Sequence, residues 1–161
     1  MLEMYLDASL QTLTMVGVAA LISALGGLAL ALLLVTTGPG DLYESPFVNK
    51  VLGNVVNLFR SIPFIILLVV LLPFTRWVVG TTIGVWAAIV PLSVAGTPFF
   101  ARIAEVSLRE VDRGLIEAAQ AMGALRRHIV RHVLLPEALP GIISGLTITI
   151  EIGRASCRER V

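Results

Sequence analysis

The chain has 161 residues, 57% of them hydrophobic and 14% charged, with a formal net charge of +1 and a mean hydropathy of +0.91. Soluble domains are about 45–50% apolar and about 25% charged, so the composition excludes an ordinary water-soluble fold and marks an integral membrane protein, for which the spans read below give an all-α architecture. No basic run is interleaved with aromatics, so no nucleic-acid partner is expected, and the single cysteine, Cys157, excludes an intrachain disulfide.

Residues 1–11 carry Glu3 and Asp7 but no Lys or Arg, which is not the basic start of a secretory signal. Residues 12–36 hold no charge. At about 1.5 Å per residue they cross a hydrocarbon core of about 30 Å with room for tilt. Ala19, Ser23, Gly27 and Ala31 recur every fourth residue. That stripe either admits another helix backbone closely or reflects the ordinary frequency of small residues in membrane helices. Gly38, Pro39, Gly40 and Asp41 break the helix, and Glu44, Ser45 and Pro46 keep the chain in a loop. A second span is expected over about 55–74, with Pro63 as a kink. Arg60 is either an interhelical or gating contact, together with Ser61 and Pro63, or an interfacial anchor. A third span is expected over 83–101, where Pro91 and Pro98 each remove a backbone hydrogen bond. A helix bent in that way is a possible pathway liner.

Residues 102–137 form a polar loop. Arginines 102, 109, 113, 126, 127 and 131 lie there among the acids. Basic excess beside span ends marks the cytoplasmic side, so the N-terminus is placed outside. Two short amphipathic helices are expected in this loop, joined at Gly123. In the first, Val111, Leu115, Ala118, Ala119 and Met122 share an apolar face. In the second, Ile129, Val130, Val133 and Leu134 do so, and Pro136 ends the helix or bends it. Residues 138–150 are the start of a fourth span, too short at about 20 Å to cross. The charged residues 151–161 are expected to be a non-native or truncation tail. The domain is thus 1–150, with three full spans and part of a fourth.

Catalytic chemistry is sparse. No GxxxxGK[ST] phosphate loop is present. His128 and His132 have the i, i+4 spacing of a two-histidine metal site but no third ligand, and read as a solvated basic face. Ser61 and Ser93 have no histidine base in the spans. No catalytic residue, metal or cofactor is expected. The apolar blocks 12–36, 61–72 and 83–101 hold no Asp, Glu, His or Lys of the kind ion-coupled carriers use, so energy for transport would have to arrive from a partner.

Glu117, Ala118 and Ala119, then Gly123 after three residues, then Val133, Leu134, Leu135 and Pro136 after nine more, resemble the EAA loop of ABC-importer permeases. Val133 stands where that pattern has isoleucine. The resemblance widens to NLFRSIPFIILL at 57–68, PFTRWVVGTTIG at 73–84, AAIVPLSVAGTPFFARI at 87–103, GLIEAAQAMGA and VLLPEALPG, and is to methionine-type permeases. It implies an ABC-importer helical bundle in a bacterial inner membrane, with five spans per subunit and used as a homodimer. The implied partners are an ABC ATPase subunit and an extracytoplasmic substrate-binding lipoprotein, and the implied substrate is methionine. It assigns ATPase coupling to Glu117, Ala118, Ala119, Gly123, Ala124, Leu135 and Pro136. The competing reading is a secondary carrier fragment, or a membrane scaffold whose amphipathic loop lies at the lipid interface.

Overall fold

The computed structural model describes residues 2–38 and 41–158; Pro39 and Gly40 of the expected helix break lie outside the described residues. The first helix, α1 (Leu2–Thr36), runs roughly 50 Å. Its threonines turn inward on their own backbone: Thr12 donates to the Ala8 carbonyl at 2.8 Å and Thr36 to the Leu32 carbonyl at 2.7 Å, which lets threonine sit cheaply in an apolar helix. The C-terminal carbonyls of α1 are taken up by the following loop. Tyr43 N–H donates to Thr36 O at 2.8 Å and Ser45 N–H to Thr37 O at 3.1 Å. The Asn49 side-chain amide donates to Leu34 O, tying α2 (Pro46–Ser61) to the end of α1.

The expected single span over 55–74 is two helices. After α2 the chain turns by 106° into α3 (Phe64–Val79). Proline removes more than its own N–H: it drives the preceding residue out of the helical region. Ile62 is accordingly extended (φ −82°, ψ 124°), and so is Pro63 (φ −55°, ψ 137°). Two consecutive extended residues make a corner rather than a kink. Gly80, left-handed at φ 81°, closes α3 by donating to the Arg76 carbonyl at 2.9 Å.

The fourth helix, α4 (Val85–Arg109), keeps Pro91 and Pro98 inside it and continues eight residues beyond the expected end at 101. It is the centre of the bundle, packing along α1 and touching α2, α3 and α7 (Leu135–Arg158). The small-residue stripe decides the α1–α4 approach. Ala19, Ser23, Gly27 and Ala31 are all buried. A Cβ on Gly27 would stand 2.8 Å from the Phe100 ring, 2.8 Å from Thr97 O and 3.0 Å from Ala101 N. Ser23 Oγ donates across the contact to Ser93 O at 3.3 Å. Gly141 and Gly145 bring α7 against α4 in the same way, facing Ser107 and Ile103.

Among the described residues one buried charge sits in this core. Glu105 on α4 has a side chain 5% exposed, and it accepts from Arg102 Nη1 at 2.7 Å and Arg109 Nε at 3.0 Å. Both arginines lie on its own helix, three residues before and four after, so the triad forms without help from another element.

Two outcomes check this packing. Gly27→Ala places a methyl against rigid backbone and is expected to cost about 1–3 kcal/mol, whereas Gly17→Ala, where a Cβ meets nothing within 4 Å, leaves the melting temperature in detergent unchanged or raised. The Arg102→Ala/Arg109→Ala double variant strands the Glu105 carboxylate. It is expected to lose roughly 1–2 kcal/mol, a value discounted because both guanidinium groups reach water. Adding Glu105→Gln should recover part of that loss; a triple variant no more stable than the double would show that the triad is not what holds this end of α4.

Candidate functional site

The segment after α4 is built outward from a single apolar cluster. Ala31 and Val35 of α1, Phe100, Ala104 and Leu108 of α4, Val111, Leu134 and Ala138 form one buried group, with Ile116 packed against it. Val111 leads into α5 (Arg113–Ala121), whose N-cap is Asp112: its Oδ1 accepts the Gly114 N–H at 2.8 Å. The C-terminus of α5 is closed by the paired bonds of a Schellman motif. Ala124 N–H donates to Ala119 O at 3.1 Å and Gly123 N–H to Gln120 O at 2.9 Å. That motif needs a left-handed residue, and Gly123 supplies it at φ 77°.

The apolar face expected on α5 divides in two. Val111 and Ala119 face the core, joined by Ile116. Leu115, Ala118 and Met122 face outward, and Met122 is 82% exposed. Ala119 is therefore spent on this chain's own packing, while Ala118 is presented. Leu125, after the turn, is also exposed. Glu117 overlooks a crevice of about 140 Å³ that Asp41, Arg113, Gln120 and Leu134 also line.

The second limb of the elbow departs from expectation at Pro136. Helix α6 (Arg126–Ile129) passes directly into a π-helical turn, Val130–Leu134, and that turn into α7. The Leu135 N–H donates to Val130 O, five residues back. A wider turn just ahead of Pro136 relieves the collision of the proline ring with the carbonyl four residues earlier. The helix therefore continues through Pro136 and Pro140 instead of ending. The expected stub over 138–150 becomes the far part of a 26-residue apolar helix over Arg126–Glu151, and the backbone of the charged tail is helical as far as Arg158. Ile129 and Leu134 anchor this limb. On its outer side Arg126 lies over the Tyr43 ring at 5.4 Å, and His128 and His132 stack at 4.3 Å. Ala124 and Leu135 are half-buried and Pro136 is exposed.

The residues considered for a pathway lie elsewhere. Arg60, Ser61 and Pro63 are exposed at the α2–α3 corner, with the Arg60 guanidinium 5.9 Å from the Phe99 ring, while Pro91 and Pro98 are buried in α4. The structure thus makes two separate groups, an elbow and a cleft at the corner. Glu105 was legible only through its spacing to Arg102 and Arg109. Nothing in the helical periodicity of α5 fixed which apolar residues turn outward.

Comparison with known proteins agrees with this architecture. The family described as binding-protein-dependent transport system inner membrane component matches residues 27–153. A D-methionine transport system permease protein of Salmonella typhi is 53% identical over 140 residues, covering 87% of this chain and 64% of that protein. A methionine import system permease protein of Bacillus subtilis is 50% identical over 117 residues, covering 73% of this chain and 53% of the relative. A solved structure of inward-facing conformations of the MetNI methionine ABC transporter superposes with a TM-score of 0.87 at 50% identity, covering 89% of this chain and 66% of its own. The chain therefore spans between about half and two thirds of the length of these relatives. With the family matched across most of its length and its elbow and bundle in place, the chain belongs to the inner-membrane components of binding-protein-dependent transport systems.

Proposed function

We propose that this chain is the greater part of a permease subunit that moves methionine, or a closely related amino acid, inward across a bacterial inner membrane. It does so as a homodimer driven by a separate ABC ATPase and fed by an extracytoplasmic binding lipoprotein. The subunit hydrolyses nothing itself. Its N-terminus lies outside and the elbow at residues 102–137 lies in the cytoplasm, the side favoured by the six arginines of that segment and its flank. The names of the relatives support the substrate and the ATP-driven partner.

The observation that carries the reading is the two-sided elbow. Its inner stripe is fixed to the bundle core, while Leu115, Ala118 and Met122 leave an apolar strip outside, and Glu117 is exposed on the same short helix. Exposed apolar surface rimmed by charge is the form of a protein contact, and the ATPase subunit is the proposed occupant. Glu117 supplies the polar contact, and Gly123 sets the angle between the limbs. Within this reading Arg60, Ser61, Pro63, Pro91 and Pro98 belong to the pathway side.

In the complete subunit, Ala118→Trp is expected to abolish co-purification of the ATPase subunit while leaving the melting temperature unchanged. Ala119→Trp, whose side chain faces inward, should lower the melting temperature first. Gly123→Leu strains the turn by about 1–2 kcal/mol and should reduce retention partially. A cysteine at Met122 should react with an impermeant thiol reagent only from the cytoplasmic side. Reconstituted uptake should require ATP and the binding protein and ignore proton and sodium gradients; gradient-driven uptake without ATP would return the reading to a secondary carrier.

A further inference from the structure

A cleft of about 170 Å³ opens at the α2–α3 corner, walled by α1, α4 and α7 as well. That is room for roughly five waters or one small organic molecule. Ser23 of α1 and Gly96 of α4 line it near the middle of their helices, together with Arg60. The arginine therefore stands at mid-length of two membrane-spanning helices. A cation at that depth is costly and persists where something compensates it. Among the described residues no acid lies within ion-pair distance of Arg60; the ion pairs formed are those of Glu105. Glu151, which follows the lining residue Ile150 on α7, has an interaction of its own. The Phe99 ring is the group facing the guanidinium, and a half-wet cation–π contact of that kind compensates little.

The other polar groups of the cleft have the opposite character. Ser23 Oγ donates its hydrogen to Ser93 O at 3.3 Å, and Thr149 Oγ1 donates to Gly145 O at 2.8 Å. With their hydrogens committed, both hydroxyl oxygens remain as acceptors. The lining thus combines the donors of Arg60 with the acceptor oxygens of Ser23 and Thr149, and Leu67, Leu92 and Phe99 are among its apolar residues. A phosphate would be served by Arg60 and repelled by the acceptor oxygens. A zwitterion is served by both.

We infer that this cleft is a binding site for a free amino acid with an apolar side chain, its carboxylate held by Arg60 and its ammonium by the hydroxyl oxygens of Ser23 and Thr149. The inference rests on the importer reading above and gives the subunit a recognition step of its own.

The test uses the complete subunit assembled with its ATPase in detergent, without the binding protein, and measures equilibrium binding of methionine and of methioninol, which has an alcohol in place of the carboxylate. Wild type is expected to bind methionine saturably and methioninol at least about tenfold more weakly, the loss expected for one charge-assisted contact. Arg60→Gln should weaken methionine binding by the same factor and leave methioninol unchanged, while Arg60→Lys stays within a few-fold of wild type. Absence of saturable methionine binding to wild type, binding by Arg60→Gln at wild-type affinity, or equal weakening of both ligands would each overturn the inference. ATP-dependent uptake by wild type in the same preparation keeps the two readings apart: if uptake is present and the binding pattern fails, only the cleft assignment falls.

Discussion

The bundle depends on a close approach of two backbones. Where Gly27 meets Thr97, Phe100 and Ala101, there is no space for even one methyl group. Lipid tails are as apolar as leucine, so helices in a bilayer gain little from burying hydrocarbon against one another. Packing, short-range contacts and hydrogen bonds must supply the attraction. The stripe of Ala19, Ser23, Gly27 and Ala31 meets that requirement by letting α1 and α4 touch along their length and by placing a hydroxyl where it reaches Ser93 O. The α4–α7 contact at Gly141 and Gly145 repeats the device. With α4 fixed on two sides, the cleft on one part of it and the elbow beyond its end acquire defined positions.

The elbow is held differently. It lies where α4 has ended, and it is fastened by larger side chains: Val111, Ile129 and Leu134 are buried, and Ile116 is packed against the same cluster. Two limbs fixed this way, joined by a hydrogen-bonded glycine turn, form a rigid bracket rather than a loose loop. A bracket can receive force, whereas a flexible loop of the same length would absorb it. The outward strip through Ala118 and Met122 is left free because the anchoring side is already complete without it.

Much of this was legible from the residues. Uncharged length located α1 and most of α4, spacing located the small-residue stripe, and the Glu117-to-Pro136 pattern located the elbow with its glycine turn. The failures share a cause: each turns on a backbone adjustment that composition does not encode. Proline at 63 and proline at 136 were both read as a kink or a stop. At 63 the extended conformation of Ile62 made a corner of 106°. At 136 a π turn just before the ring absorbed the clash and the helix went on. Which outcome follows depends on packing around the preceding turn; Leu134 is fully buried there, whereas Ser61 and Pro63 are exposed. The faces of α5 failed for a related reason. A short helix with apolar residues on most of its circumference has no unique inward side until the core it meets is known.

The uninterrupted run from α6 through the π turn into α7 has a mechanical consequence. Arg126 belongs to the elbow, and Thr149 lines the cleft beside Arg60. They sit on one helix, separated by about 35 Å. Had Pro136 ended the helix, motion at the elbow would have been lost in a joint before reaching the bundle. With the helix continuous, a tilt of about 10° at the elbow displaces the far end by roughly 6 Å, more than one helical turn. Among the described residues the α2–α3 corner packs chiefly on α4 and α1, so the two walls need not move together. On the proposed reading, the helix that leaves the docked elbow just after the Gly123 turn carries one wall of the amino-acid site, so displacement of the elbow reaches that wall along one helix.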